Sequence, residues 1–458
     1  MLKPNGGFWG IRQYNERQVT NVFSMMKYNN LLYLILKDEN LGNALGRVLD
    51  NKGAPGIDGM TVEQLPQYFL TNLPQIKDSI INGSYNPKPV KGVEIPKDNG
   101  TKRLLGIPTV LDRLIQQAIH QVLSPLFERE FSEFSFGFRP ERNAHQALKQ
   151  ANGYINEGRQ DIIDLDLKSF FDKVNHVKVM NLLRRRIEDK PLLRLINKYL
   201  KSGIMGGGVV SQTGEGTPQG GPLSPLLSNI LLNELDKELE KRGHAFIRYA
   251  DDVSIFLRSK TAAQRVRESI TKFLNNKLLL EVNEQKTSIC RPVKFTLLGH
   301  GFVPIYKKGY KGKYQLCIAA KSWKRLKKKI KIITRKTTSI GFASRIIKLN
   351  QLMRGWVHYF KFATGYQKLK DLDGWIRSRL RYCIWKQWKT PKRRYRAFIQ
   401  LGSDPSWARR YAYSRKGGWR LVASQVMKMT VTIDKLQQKG YIPFLDFYLK
   451  VKYAKTVR

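Results

Sequence analysis

The sequence has little acidic charge relative to its basic charge. Its 458 residues include 82 Lys and Arg against 36 Asp and Glu, which gives a formal net charge of +46. An excess of this size repels itself in a compact chain unless a polyanion neutralises it. The composition therefore favours nucleic acid as a partner, with an anionic membrane surface as the second candidate.

Paired cysteines and long apolar runs are also missing. Cys290, Cys317 and Cys383 are far apart and form no CxxC pair, which argues against a disulfide framework and against a Cys-rich zinc site. No apolar run reaches the roughly 18 residues that a membrane-spanning helix needs. The N-terminus does not have the layout of a signal peptide. These absences predict a soluble intracellular protein that makes no membrane contact, and bacterial cytoplasm is the expected location.

What the sequence does contain is a pair of adjacent aspartates in an apolar stretch, FIRYADDVSIFLRS at 246–259. The apolar residues on both sides predict two strands of a hairpin. The carboxylates of Asp251 and Asp252 repel each other there, at a cost of roughly 4 kcal/mol for a separation of about 4 Å. Two Mg²⁺ ions would offset this repulsion and could catalyse an in-line displacement at phosphorus.

Such a site needs a third carboxylate from a neighbouring strand, and DIIDLDLKSFFD at 161–172 offers two. Asp166 lies at the predicted strand end. Asp164, two residues earlier on the same face, is the rival for this role. An ordinary acidic turn is the competing interpretation of YADD taken alone.

Together, these motifs resemble the reverse transcriptase family, and most closely the group II intron-encoded reverse transcriptase/maturases, over roughly residues 31–458. The first acidic motif of that family is Asp, four residues, then Phe or Tyr. Asp166 and Phe171 fit it, whereas Asp164 would put Ser169 at the aromatic position. YADD matches the second acidic motif, and TPQGGPLSPLLSNI matches the motif between them. The resemblance implies two Mg²⁺ ions, or Mn²⁺ in their place, and three catalytic metal ligands: Asp166, Asp251 and Asp252.

The resemblance also implies a binding site for deoxynucleoside triphosphates (dNTPs). Lys97 and Arg103, in IPKDNGTKRLLGIP, would hold the triphosphate, and Gln219 would contact the nucleotide from its Gly-rich loop. Phe171 would lie under the sugar and exclude a 2′-hydroxyl, although a plain core phenylalanine is the competing interpretation. Lys286 matches a family lysine near the nucleotide.

The C-terminal third is basic, aromatic and helical in its periodicity. KSWKRLKKKIKIITRK at 321–336 and RIIKLNQLMRGWVHYFKF at 345–362 place apolar residues on one face. In the family this thumb or maturase (X) region binds intron RNA. The alternative interpretation of such a basic amphipathic helix is that it lies on a membrane surface or is a calmodulin target. The predicted RNA contacts in this region are Lys324, Arg325, Lys328 and Arg354. Two further RNA contacts, Arg139 and Arg142 in GFRPERN, are predicted to bind the template backbone.

The mixed order of strands and helices predicts an α+β fold, which the resemblance makes a right-hand polymerase. We expect an N-terminal extension over 1–30, fingers and palm over 31–300, a helical thumb or maturase domain over 301–390 and a small basic DNA-binding (D) domain over 391–458. Many family members add a C-terminal His-Asn-His endonuclease with paired CxxC motifs, and no CxxC occurs in this chain. We therefore expect the primer for DNA synthesis to come from elsewhere.

The expected function is that of an RNA-directed DNA polymerase which also binds intron RNA to assist splicing. It would support intron mobility by target-primed reverse transcription, with an RNA template, a DNA primer, target DNA and dNTPs as partners. One alternative is a splicing factor with an inactive polymerase, against which the presence of all three aspartates argues. The other is a domesticated reverse transcriptase in DNA repair or phage defence, which the protein sequence hardly distinguishes.

Overall fold

The chain forms two compact units. A computed structural model describes residues 28–96, 100, 102–206, 209–211, 214–216 and 220–454. The first unit comprises Met1–Tyr154 and Arg159–Cys290, and the second comprises Ile155–Gly158 and Arg291–Arg458. The domain bounds predicted at 30/31, 300/301 and 390/391 stay predictions.

The first unit combines helices with two four-stranded sheets. Its helices are α1 (Leu31–Ile35), α2 (Asp38–Asp50), α3 (Leu65–Ile81), α4 (Val110–Glu128), α5 (Ala144–Asn156), α6 (His176–Arg184), α7 (Lys190–Lys201), α8 (Ser224–Lys241) and α9 (Lys260–Phe273). Its strands are β1 (Val90–Pro96), β2 (Lys102–Ile107), β3 (Asp161–Leu165), β4 (Ile204–Gly206), β5 (Val209–Ser211), β6 (Ala245–Tyr249), β7 (Asp252–Leu257) and β8 (Ser288–Cys290). One sheet has the order β2-β1-β4-β5 and the other the order β6-β7-β3-β8.

The second of these sheets contains the predicted hairpin, β6–β7, and all its strand pairs are antiparallel. Ile255 of β7 lies between Phe246 of β6 and Ile163 of β3, and all three side chains are fully buried. Burying each of them contributes about 1.5–3 kcal/mol. The apolar strands therefore form a rigid base for the turn that carries the aspartate pair.

Helix α8 packs against α4, α6 and β6. It is buried around most of its circumference, as expected for a helix enclosed by the core. Its buried apolar residues are Leu226, Leu227, Ile230, Leu231, Leu232, Leu235 and Leu239. Asn229, Asn233 and Asp236 are buried along the same helix, and buried polar groups of this kind need hydrogen-bond partners.

The second unit is mainly helical. A three-stranded antiparallel sheet has the order β11-β10-β9, formed by β9 (Thr296–Leu297), β10 (His300–Pro304) and β11 (Tyr314–Ile318). The helices that follow are α10 (Ala320–Ile333), α11 (Phe342–Phe360), α12 (Tyr366–Gln387), α13 (Pro391–Gln400), α14 (Pro405–Ala412), α15 (Gly418–Val422), α16 (Gln425–Thr430), α17 (Ile433–Gln438) and α18 (Phe444–Tyr453).

Helices α10 and α11 bury the faces that the periodicity predicts. Trp323, Leu326 and Ile330 of α10 are buried, and the Trp323 ring lies 5.1 Å from that of Trp356 on α11. The lysines and arginines of α10 occupy its opposite, exposed face. Among the residues described, no helix is both long and apolar enough to cross a membrane.

A buried carboxylate connects α12 with the C-terminal helix. Asp373 accepts hydrogen bonds from the Tyr441 hydroxyl (2.9 Å) and from the backbone N–H groups of Phe444 (2.8 Å) and Leu445 (2.9 Å). Burial raises the pKa of Asp373, and these three donors act in the opposite direction. Two of the N–H groups belong to the first turn of α18, where a carboxylate stabilises a helix.

Candidate active site

The turn between β6 and β7 holds Asp251 in a constrained position. Ala250, directly before it, has a φ of +59°, in the left-handed region that residues with a side chain seldom adopt. Such a conformation costs about 1–3 kcal/mol and persists only where surrounding contacts impose it. The backbone at the aspartate pair is therefore held by its surroundings.

Strand β3 brings further carboxylates to the same edge of the sheet. Leu165 lies opposite Val253, and one more step along this register places Asp166 opposite Asp252. Asp164 lies on β3 between Ser254 of β7 and Ser288 of β8. The sheet thus gathers at one edge carboxylates that lie far apart in the sequence.

The electrostatics show that these carboxylates act on one another. Burial and the charges of Asp251 and Asp166 raise the pKa of Asp252 to about 6, with Lys286 acting in the opposite direction. Burial and the charges of Asp252 and Asp166 raise the pKa of Asp164 to about 6 as well. The ionised cluster is therefore unfavourable without added positive charge, which is the condition under which a carboxylate site binds divalent cations.

A complete set of metal ligands is not in place. Within the described part of the chain, no group of three or more His, Cys, Asp or Glu side chains is arranged to hold a metal ion. The chemistry of the donors nevertheless fits Mg²⁺, which prefers carboxylate oxygens. The residues that could hold it are Asp166, Asp251 and Asp252, with Asp164 beside them.

Lys286 supplies positive charge to this cluster. Its Nζ lies 3.1 Å from Oδ2 of Asp166, and two-thirds of its side chain is exposed, so the pair itself contributes only about 0–1 kcal/mol. Two hydrogen bonds tie the residues on either side of Lys286 to the Asp166 backbone. Asn283 N–H donates to the Asp166 carbonyl (2.8 Å), and Asp166 N–H donates to the Thr287 side-chain oxygen Oγ1 (3.1 Å). The fold thus unites two predicted residues that are 120 positions apart.

Phe171 opens onto a cleft beside the aspartates. Its neighbour Phe170 is buried in the core, with the two rings 5.2 Å apart in an edge-on contact. Phe171 itself is half-buried and lines a cleft of about 640 Å³ together with Asp251. Phe171 also packs against the hydrophobic core, so its contact with the nucleotide sugar stays a prediction.

Sequence reasoning missed the polar wall of this cleft. Arg113, Gln117 and His120 of α4 line it, opposite Phe138. Burial and the charge of Arg47 lower the pKa of His120. The spacing of the three residues, which places them on one face of α4, is a signal that could have identified them.

Two glycines of the Gly-rich loop are required by contacts within the protein. Gly220 has a φ of +129°, and a Cβ there would lie 2.3 Å from the carbonyl oxygen of Gly106 on β2. A Cβ on Gly221 would lie 2.3 Å from Oε1 of Gln116, the flexible end of a side chain. The need for glycine is therefore strict at position 220 and weaker at position 221.

Three predicted nucleotide contacts remain predictions. Lys97 and Gln219 lie outside the described residues. Arg103 lies on β2 opposite Ile95 of β1, but its side chain is outside the described part as well.

The structure gives Arg139 a structural role in place of the predicted RNA contact. Its guanidinium is buried, donates to Glu128 Oε1 from Nε (2.9 Å) and Nη2 (2.7 Å), and donates from Nη1 to the carbonyls of Ser132 and Ser135. These bonds use four of the five N–H donors of the guanidinium, and the side chain is buried, which argues against a phosphate contact.

The other predicted RNA contacts have more accessible positions. Arg142 is half-buried and donates to the Glu133 carbonyl at 3.3 Å. The remaining four are exposed on α10 and α11: Lys324, Arg325, Lys328 and Arg354. Their contact with RNA stays a prediction.

Comparison with known proteins identifies two family regions. Residues 95–302 match the reverse transcriptase (RNA-dependent DNA polymerase) family, and residues 323–401 match the group II intron, maturase-specific domain. Protein YkfC of Escherichia coli is 34% identical over an alignment of 320 residues, and the match covers 61% of this chain and 84% of YkfC. The group II intron-encoded protein LtrA of Lactococcus lactis is 28% identical over an alignment of 353 residues, and the match covers 62% of this chain and 58% of LtrA.

Among solved structures, a partial Cas6-RT-Cas1--Cas2 complex matches 54% of this chain and 43% of its own chain, at 23% identity and a TM-score of 0.36. No conclusion is drawn from a likeness at that level. The assignment depends on the two family regions and the relatives, and the α+β fold agrees with it. The chain is a reverse transcriptase with a maturase domain, and it belongs to the group II intron reverse transcriptase/maturase family.

Proposed function

We propose that the first unit copies RNA into DNA at the edge of β3 and the β6–β7 turn, with Asp166, Asp251 and Asp252 as metal ligands. The observation that carries this proposal is the carboxylate cluster, in which burial and neighbouring charges raise the pKa values of Asp164 and Asp252, beside a cleft lined by Phe171 and Asp251. Two Mg²⁺ ions, or Mn²⁺, would activate the primer 3′-hydroxyl and stabilise the leaving pyrophosphate.

The side chains around the cluster have separate roles in this proposal. Phe171 lies under the sugar of the incoming dNTP and excludes a 2′-hydroxyl, which its half-buried place in the cleft supports. Lys286 binds Asp166 in the free enzyme. With Asp166 as a metal ligand, its ammonium group would be available to the triphosphate. Lys97, Arg103 and Gln219 complete the triphosphate site.

The second unit and its basic surface bind the partners of a group II intron protein. Intron RNA lies against the exposed cations of α10 and α11, which supports folding of the RNA for splicing. Residues 391–458 contact target DNA, and a DNA strand of that target primes synthesis, so that the intron moves by target-primed reverse transcription. The setting is a bacterial cytoplasm, consistent with the bacterial origin of YkfC and LtrA.

The test is primer extension on poly(rA) with an annealed oligo(dT) primer and dTTP. Wild type, Asp251→Asn and a control, Asp78→Asn, are compared in Mg²⁺ and in EDTA. The control removes the same charge from α3, which contributes no residue to the cleft. We expect metal-dependent extension by wild type and control, and a loss of at least about 10³-fold in Asp251→Asn, since removal of a single catalytic group has effects of this size.

Two other outcomes would each support a different function. Tight RNA binding without extension by folded wild type would support a splicing factor with an inactive polymerase. Extension without binding of intron RNA would support a reverse transcriptase that acts independently of an intron, and the DNA flanking the gene would then lack the ribozyme structure of such an intron.

A further inference from the structure

A fully buried arginine lies three residues before Asp251. Arg248 of β6 is 0% exposed, and so is its partner Asp236 on α8. Nη2 donates to Asp236 Oδ2 at 2.6 Å, and Nε donates to both carboxylate oxygens at 2.8 and 3.0 Å. A guanidinium and a carboxylate are thus paired with no access to solvent.

The same guanidinium reaches the catalytic turn. Its Nη1 donates to the carbonyl oxygen of Ala250 (3.1 Å) and to Oδ1 of Asn229 on α8 (2.7 Å). The Asn229 amide in turn donates to the carbonyl of Gly137 (3.0 Å). One side chain therefore connects α8, the β6–β7 turn and, through Asn229, the turn at Gly137.

The two turns are in close contact. A Cβ on Gly137 would lie 2.2 Å from the backbone nitrogen of Ala250, so only glycine allows this approach. Phe138, which follows, has a φ of +57° and places its side chain in the cleft that Asp251 also lines. Arg248 thus supports two turns that line the cleft, the β6–β7 turn with Asp251 and the turn at Gly137 with Phe138.

The energetics of the pair indicate a positional role. Two charges removed from water lose hydration that their attraction offsets only in part, so a buried ion pair is weak evidence for stability and an apolar pair of similar size is often as stable. The pair is also neutral in sum, which means that Arg248 is not a counterion for the aspartate cluster. The planar guanidinium of Arg248 instead provides several N–H donors with fixed directions.

We propose that Arg248 is a positioning residue that fixes Asp251 and Phe138 relative to each other by holding both turns against α8. The inference rests on the proposed polymerase activity, because it assigns no chemistry to Arg248 itself. Its consequence is that loss of the network impairs turnover and metal use even in a stably folded protein.

The test replaces the whole pair, Arg248→Met with Asp236→Leu, which leaves no unpaired buried charge. The matched control is Arg242→Met with Glu238→Leu, an ion pair at the C-terminal end of α8 that is partly exposed. Primer extension gives kcat, the KM for dTTP and the Mg²⁺ concentration at half-maximal rate, and thermal melting gives stability. We expect kcat to fall at least about 30-fold and the Mg²⁺ requirement to rise, with the KM for dTTP within about threefold, as for a residue that acts on the transition state.

A double variant that melts like wild type and keeps kcat within about threefold would overturn the inference. Should that variant fail to fold, kcat of the Asn229→Ala variant tests the inference, because this variant keeps the Arg248–Asp236 ion pair and removes the hydrogen bond to Gly137. A fall in kcat of at least about fivefold supports the proposal, and unchanged kcat refutes it. Wild type is measured in the same series, so absence of extension by wild type would refute the polymerase proposal instead.

Discussion

The raised pKa of Asp164 makes a quantitative prediction about stability. Its ordinary pKa is 3.8, and the folded protein raises it to about 6 through burial and the charges of Asp252 and Asp166. A difference of about two pKa units corresponds to roughly 3 kcal/mol. Because the carboxylate is partly exposed and water screens the repulsion, we expect about 1–2 kcal/mol in practice.

The sign follows from proton linkage. Between about pH 4 and pH 6 the folded protein binds more protons at Asp164 than the unfolded chain does, so this residue lowers stability as the pH rises. The variant Asp164→Asn removes the effect. We expect it to match wild type near pH 4 and to be more stable by about 1–2 kcal/mol above pH 7, in EDTA.

The measurement is urea unfolding of wild type and Asp164→Asn in EDTA from pH 4.5 to pH 8, with Asp78→Asn as control. Adding Mg²⁺ at pH 7.5 should stabilise wild type, by about 1.4 kcal/mol at ten times its Kd, and should stabilise Asp164→Asn less. A variant that is less stable than wild type above pH 7, or whose difference from wild type does not change with pH, would refute the electrostatic reasoning.

Three further predictions concern specificity, packing and RNA binding. Phe171→Ala should raise the use of ribonucleotides relative to dNTPs by at least about tenfold, and an unchanged ratio of the two kcat/KM values would contradict the role under the sugar. Arg139→Met should lower the free energy of unfolding by about 2–4 kcal/mol without changing RNA affinity at equal folded concentration, and a selective loss of affinity would restore the RNA role. Replacing three exposed cations of α10, Lys324, Arg325 and Lys328, by Ala should weaken RNA binding. It should also reduce the slope of log affinity against log salt concentration by about two to three. A lower melting temperature with unchanged RNA affinity would instead indicate a packing role.

The sequence allowed much of this fold to be predicted because local signals and tertiary structure agree. The apolar residues on both sides of YADD predicted the hairpin, and the apolar faces of α10 and α11 showed the periodicity of helices buried on one side. The choice of Asp166 over Asp164 depended on the resemblance, since both lie at one sheet edge and a period of two does not separate them. The structure adds that the charge of Asp166 helps to raise the pKa values of both Asp164 and Asp252.

Side-chain partners that lie elsewhere in the fold were harder to predict. Arg139 was predicted to contact the template backbone, but it is buried and its partner Glu128 lies on α4, and pairing across the fold is not visible in the sequence. The buried Arg248 had a visible signal, an arginine inside an apolar strand, yet its partners lie 12 and 19 residues earlier on a helix. Partners of this kind become apparent only when the packing is known.

The Asp373 carboxylate has a consequence for the order of synthesis on the ribosome. Its donors are 68 to 72 residues further along the chain, so α12 emerges from the ribosome with an acceptor whose partners have not yet been made. The second unit can complete its packing only after Leu445 has been translated. A nascent chain arrested before Tyr441 would therefore keep this region open to proteases, while the first unit, whose residues end at Cys290, would already have all of its own chain available.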